Sequence, residues 1–331
     1  MKNIKLISTG GTIASVAGKD GKSIAGALPG EALVEHLQLP DNVRLSVEST
    51  FQKPSNAITM ADLCMLAKRC QALIDKGSVH GIVITHGTDT LEDTSYFLES
   101  VLTLNNTAVV VTGSQRVPHA DGSDAFTNLS AAITVACHPR TPEMGVVVAF
   151  NESIFCASTV RKVNSYQVNG FAAPGYGRLG LVDGTTTTYF QQPLRLPTLP
   201  LAQDHNTLPD VDIVPSYLDA SPFYVEQLLH HRKSGVVIDG LGRGHVPPQW
   251  MPIIRQLCQM DRVVLVCSAT LMGGTCQTYE FTGSLQELEA AGAIAISHLS
   301  ARKARLRLAL LLSQGTPTAS TIRAAFKHPS S

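Results

Sequence analysis

The sequence carries no excess of charge of either sign: 26 Lys plus Arg stand against 26 Asp plus Glu. Such a balance gives no long-range field toward nucleic acid or an anionic membrane, and it suits a small polar ligand better. No run approaches the roughly 18 apolar residues that a spanning helix needs. The opening Met1-Lys2-Asn3-Ile4-Lys5-Leu6-Ile7 lacks an apolar signal region and a cleavage site, which predicts a cytoplasmic protein. Cys-x-x-Cys pairs are missing too: the seven cysteines, at 64, 70, 137, 156, 258, 267 and 276, form none, and the odd count leaves at least one unpaired. That pattern fits small core residues in a reducing compartment better than a disulfide frame or a zinc site. Gly-x-Ser-x-Gly and His-Glu-x-x-His are absent, which excludes the common serine-hydrolase and zinc-peptidase readings. Charged residues are scarce at 16%, against a usual ~25%, while 44% of residues are hydrophobic. Much of the chain is therefore expected to be buried, in a large fold or in subunit contacts.

What is present is a rhythm of short apolar runs. Ile4 to Ser8, Val79 to Thr85, Ala108 to Thr112, Gly145 to Phe150, Val236 to Asp239, Val263 to Cys267 and Ala293 to Ser297 are predicted as strands buried on both faces. Between them lie helical spacings, as in Thr59 to Lys76, where Met60, Leu63, Leu66, Cys70 and Leu73 share a face and Thr59 with Asp62 forms a capping-box pattern. Ser284 with Glu287 marks a second such start. At Arg302 to Arg307 a basic run is predicted to be the solvated face of a helix whose apolar face holds Leu306, Leu310 and Leu311.

Alternating strands and helices predict an α/β protein with a doubly wound, mainly parallel sheet. With 331 residues the chain exceeds the roughly 250 to 300 at which single cores stop growing. The break in the rhythm is 191–212, rich in proline (Pro193, Pro197, Pro200, Pro209), so a larger domain at 1–190, a linker at 191–212 and a smaller α/β domain at 213–331 are expected.

In open parallel sheets the ligand site lies beyond the carboxyl ends of the strands. There the sequence turns small and polar: Thr9-Gly10-Gly11-Thr12-Ile13-Ala14 after the first strand, His86-Gly87-Thr88-Asp89-Thr90 after the second, Gly113-Ser114-Gln115-Arg116 after the third. A hydroxyl that attacks a carboxamide carbon needs a base, a group to orient the base and donors for the oxyanion. Thr12, Thr88, Asp89 and a lysine supply that set. Gly10 and Gly11 would let the main chain approach the substrate with N–H groups free. Each turn taken alone also fits blander roles. Thr-Gly-Gly-Thr fits a tight turn or phosphate cradle, and Thr90 or Asp89 fits a cap on a helix starting near Leu91.

The pair of turns together, with Glu92-Asp93-Thr94 after the second and Arg161-Lys162-Val163-Asn164 later, resembles the bacterial-type L-asparaginase and glutaminase family across essentially the whole length. The resemblance implies hydrolysis of L-asparagine to L-aspartate and ammonia, with Thr12 as the nucleophile that forms an acyl-enzyme. It implies a second set, Thr88, Asp89 and Lys162, in which lysine and threonine move protons and the aspartate also holds the substrate's α-amino group. Lys162 serves as a base only when neutral; beside Arg161, its alternative is a solvated surface charge. Substrate contacts are implied at Gly11, Ser55, Asn56, Gly87, Thr88, Asp89 and Ser114, with Asn56 where glutamine is frequent. The Pro54 to Thr59 segment also fits a plain polar turn. The resemblance further implies no cofactor or metal and a homo-oligomer, dimer or tetramer, with Glu280 of one subunit completing a neighbour's site.

Two departures affect the expectations. The family's loop tyrosine is replaced by Ser23 or Ile24, and Gly240-Leu241-Gly242-Arg243-Gly244-His245 stands where asparagines are common. Arg243 and His245 would bear on asparagine against glutamine, a difference of one methylene worth roughly 1 to 3 kcal/mol. Rival readings are weaker. Gly21-Lys22-Ser23 lacks the P-loop's earlier glycine, since position 16 is valine, and Gly240, Gly242 and Gly244 are not in the dinucleotide spacing. A glutaminase-asparaginase, a transamidosome subunit working on glutamine and a non-catalytic amino-acid sensor are the nearer alternatives. Complete retention of Thr12, Thr88, Asp89 and Lys162 argues against the sensor, which has no need of the lysine.

Overall fold

The computed structural model describes residues 1–18, 23–24, 26–35, 37–202, 204–230, 235–260 and 262–327. Two compact units divide the chain, Met1–Asn206 and Thr207–Ser331.

The first unit is built on an eight-stranded sheet. In spatial order its strands are Thr186–Tyr189, Gly180–Asp183, Ser153–Cys156, Val146–Phe150, Ala108–Thr112, Gly81–Thr85, Lys2–Gly10 and Val43–Lys53. The last five run parallel and the first three extend the sheet antiparallel. Every residue of Gly81–Thr85, Ala108–Thr112 and Val146–Phe150 is buried. Their valine and isoleucine runs therefore lack polar alternation because both faces are covered. The helix Ala125–Cys137 buries Leu129 and Ile133 in one core with Ile4, Leu6, Val83 and Val110.

The helix Met60–Asp75 begins at the expected box. Thr59 Oγ1 accepts the Asp62 N–H at 3.2 Å, and the Asp62 carboxylate accepts the Thr59 N–H at 2.9 Å. Burial pushes the Asp62 carboxyl up, but hydrogen bonds from Lys53 and Thr59 outweigh it and hold the group below its ordinary range. Among the described residues, no helix or strand follows Tyr189 before Val211. The early part of this proline-rich stretch is docked: Arg195 Nε donates to Glu99 at 2.5 Å and Leu199 N–H to the Ser100 carbonyl at 2.6 Å. The second oxygen of Glu99, on the helix Leu91–Val101, takes the Val146 N–H, tying stretch, helix and sheet together.

The second unit has a four-stranded parallel sheet in the order Val211–Pro215, Gly235–Gly240, Val263–Ser268, Ile294–Ala295. Trp250, Ile254, Leu257, Val264 and Val266 fill its core. Ser284 caps the helix Leu285–Ala290 by accepting the Glu287 N–H, but the Glu287 carboxylate turns back one residue further, to the Gly283 N–H. The expected solvated face at 302–307 is overturned. In the helix Ala301–Ser313, Lys303 and Arg307 are each only 1% exposed. Arg307 donates to the Ala325 carbonyl at 2.8 Å with its guanidinium over the Phe326 ring. The last helix, Ala319–Ala325, covers a cation that sequence spacing assigned to water.

Candidate active site

Four neighbouring parallel strands deliver their carboxyl ends to one edge of the sheet. Val43–Lys53 leads to Ser55, Lys2–Gly10 to Thr12, Gly81–Thr85 to Thr88, and Ala108–Thr112 to Ser114. Thr9 Oγ1 donates to the Thr85 carbonyl at 2.8 Å, fastening the two central ends. Beyond them the turns touch through main chain. A methyl added at Gly11 would lie 2.3 Å from the Gly87 nitrogen, and one added at Gly87 would lie 2.8 Å from Ser55 Oγ. Gly11 also has φ +81°, so both conformation and space require glycine.

Thr12 opens a short 3-10 turn, Thr12–Ala14, and is partly buried. Among the described residues its hydroxyl has no protein partner. The Gly11 N–H is not free, contrary to expectation, because it donates to the Lys53 carbonyl at 3.1 Å. The N–H groups of Thr12, Gly87 and Thr88 find no acceptor among the described residues. Gly87 is buried and Thr88 is 6% exposed. Buried orphan N–H groups are rare in folded proteins, and these three lie on the two turns that meet at Gly11 and Gly87.

Lys162 reaches the second turn directly. Its Nζ donates to Thr88 Oγ1 at 2.8 Å and to Asp89 Oδ1 at 2.6 Å. The lysine side chain is 16% exposed and that of Asp89 is 70% exposed. The solvated-lysine alternative therefore fails on geometry, while the Asp89 side chain stays largely exposed. Asp89 and Thr90 precede the helix Leu91–Val101, but Thr90 makes no cap; its hydroxyl donates to the Ser55 carbonyl at 2.9 Å, binding two site turns together.

Other expected residues are placed less tellingly. Ser55 is buried in the turn Ser55–Ala57 and Asn56 is exposed beside it. Ser114 is fully buried and donates to the Arg116 carbonyl at 2.7 Å. Glu280, in the second unit, is exposed. There too, Arg243 donates to Thr278 Oγ1 at 2.9 Å, and His245 packs edge-on against Phe281 and Tyr279. Ser23–Ile24 forms a strand antiparallel to Val16–Ala17, with Ile24 exposed. Gly21 and Lys22 lie outside the described residues.

The structure also brings in residues that sequence reasoning passed over. His86 is fully buried, and burial lowers its ring to about 4 although the Gly87 hydrogen bond pulls the other way. Its Nδ1 lies 2.8 Å from the Gly87 carbonyl and Nε2 lies 2.9 Å from Thr94 Oγ1. A carbonyl only accepts, so Nδ1 carries the proton and the neutral ring accepts from the threonine. Asp124 gathers the Gln115 and Arg116 N–H groups, and Gln115 Nε2 donates to the Asn164 and Gln167 carbonyls beyond Lys162. A polar residue directly after a buried strand was the available signal at His86. Nothing local marked Asp124. Among the described residues no three His, Cys, Asp or Glu side chains gather as metal ligands, and no helix is long and apolar enough to cross a membrane.

Comparison with known proteins agrees along the chain. A family model for the asparaginase N-terminal domain matches residues 3–195, and one for the glutaminase/asparaginase C-terminal domain matches 210–326. The chain is 39% identical over 311 residues to an L-asparaginase of Bacillus licheniformis, covering 94% of this chain and 95% of that protein. It is 35% identical over 326 residues to a probable L-asparaginase of Deinococcus radiodurans, covering 95% and 94%. A glutaminase-asparaginase of Pseudomonas aeruginosa is 30% identical over 281 residues, covering 83% and 77%. The crystal structure of a probable cytoplasmic L-asparaginase from Campylobacter jejuni superposes with a TM-score of 0.88 at 27% identity, covering 98% of this chain and 99% of that one. With both domains matched and relatives aligned over nearly their full lengths, this chain belongs to the bacterial-type asparaginase family of amide hydrolases.

Proposed function

We propose that the protein hydrolyses L-asparagine to L-aspartate and ammonia through an acyl-enzyme on Thr12. The observation that carries this reading is the Lys162 amine bonded at once to Thr88 and Asp89, on a turn whose Gly87 lies against Gly11, next to Thr12. The Thr12 hydroxyl oxygen attacks the side-chain carboxamide carbon while its proton passes toward the Thr88–Lys162 pair. The carbon–nitrogen bond then breaks, and ammonia leaves with that proton. Water attacks the resulting ester, restoring the Thr12 hydroxyl and releasing aspartate. Orphan N–H groups at Thr12, Gly87 and Thr88 supply donors for the oxygen that becomes negative. Asp89, open on one side, takes the substrate's α-amino group, and Ser55 with Asn56 takes its α-carboxylate. Gly11, Gly87 and Ser114 contribute to substrate binding from the turns that carry them.

Asparagine is favoured over glutamine because the relatives at 39% and 35% identity are named L-asparaginases, while the glutaminase-asparaginase stands at 30%. A homo-oligomer in which Glu280 completes a neighbour's site fits the exposure of that residue. A cytoplasmic location agrees with seven free cysteines and with the Campylobacter relative. Ammonia release measured with L-asparagine, L-glutamine and D-asparagine separates asparaginase from glutaminase-asparaginase and from a non-catalytic sensor. Thr12→Ala is expected to lower turnover about 10⁴-fold or more while the fold survives. Near-normal turnover in a folded Thr12→Ala protein moves the nucleophile elsewhere.

A further inference from the structure

We infer that Glu92 is a positioning residue for Lys162, acting with Arg161 as a fork that fixes where the amine arrives; this rests on the proposed role of Lys162. Glu92 lies in the first turn of the helix Leu91–Val101 and is only 1% exposed. One carboxylate oxygen accepts the Lys162 main-chain N–H at 2.8 Å, and the other faces the Arg161 guanidinium at 3.6 Å. A carboxylate taken this far from water requires donors and a cation, and it draws them from two consecutive residues of one short strand.

The strand needs such an anchor. Arg161–Lys162 is two residues long and pairs only with the equally short Phe171–Ala172 among the described residues. A lysine side chain is a flexible four-carbon stem that transmits little positional order by itself. The place of Nζ is therefore governed by where the main chain of residue 162 is held. Glu92 holds it against the same helix start that carries Thr88 and Asp89, four and three residues earlier. The amine and both of its partners are thereby referenced to one element, and Arg161 keeps the buried carboxylate balanced without competing for the site. Glu92 does not touch the reacting atoms; its effect passes through Lys162.

A displacement of about 1 Å at a catalytic group costs on the order of 100-fold in rate. The test is steady-state ammonia release from L-asparagine by wild type, Glu92→Ala, Lys162→Met and the double variant, with thermal unfolding of each. Glu92→Ala is expected to lower kcat about 100-fold, with KM within about threefold. The double variant should fall no lower than Lys162→Met, since the two residues act as one unit. Glu92→Gln keeps one acceptor oxygen and should lose less, about tenfold. If Glu92→Ala does not fold, Glu92→Gln with and without Lys162→Met decides by the same comparison. A folded Glu92→Ala protein with wild-type kcat overturns the inference, and so does an equal fold-loss in the Lys162→Met background. Near-normal turnover by Lys162→Met alone instead removes the role of Lys162 on which the fork depends.

Discussion

Replacing His86 with asparagine isolates one titration from all others in the protein. Burial lowers the ring from 6.5 to about 4 against the Gly87 hydrogen bond, so the folded chain keeps it neutral where the unfolded chain protonates it. Between those values the unfolded state binds the extra proton. Stability therefore falls as pH drops below 6.5, and the loss is complete once pH passes below about 4. From 6.5 unfolded and about 4 folded, the wild type loses about 2 kcal/mol through this group between about pH 7.5 and about pH 5. Asparagine retains a donor for the Gly87 carbonyl and does not titrate. Carboxylates titrate alike in both proteins and cancel. Urea unfolding at the two pH values should show the variant losing about 2 kcal/mol less than the wild type on acidification. Equal losses in the two proteins would refute the buried neutral imidazole.

Two further substitutions probe the frame. Gly11→Ala should abolish measurable ammonia release and lower the melting temperature, because its methyl meets Gly87 main chain at 2.3 Å. Gly77→Ala has φ +64° but open space around it, and should cost only about 1 kcal/mol of strain with activity intact; similar damage from both would contradict the steric account. Thr59→Ala removes the hydroxyl that accepts the Asp62 N–H and should cost about 1 kcal/mol in denaturant unfolding, and no change there would mean Asp62 and Lys53 suffice.

The buried strands were legible because a strand covered on both faces must be written in continuous valine and isoleucine, as at Ala108–Thr112. Val43–Lys53 escaped notice because its Arg44, Glu48 and Lys53 break any apolar run; it closes one edge of the sheet, where charges meet water and Glu48 pairs with Arg69 and Lys5. The short antiparallel strands Gly180–Asp183 and Thr186–Tyr189 carry too little apolar pattern to be seen locally. The polar turns after the strands pointed to residues that the structure does gather, Lys162 against Thr88 and Asp89 and Gly11 against Gly87, yet charge alone misassigned Arg307, because helical spacing says which residues share a face and not what later covers it. Glu92 was visible only as the residue after a motif. Its worth depends on a partner 70 positions away, a pairing that no local window contains.

The contact between Gly11 and Gly87 has a wider meaning for how this scaffold tolerates change. Lys2–Gly10 and Gly81–Thr85 are hydrogen-bonded neighbours, so their turns leave the sheet about 4.8 Å apart, a spacing set by peptide geometry and not by side chains. The spacing of the two turns at their base is thus inherited from the pleat and is closed to gradual adjustment. Any change in the room between these turns would have to come from the residues that follow them, with the two glycines left alone.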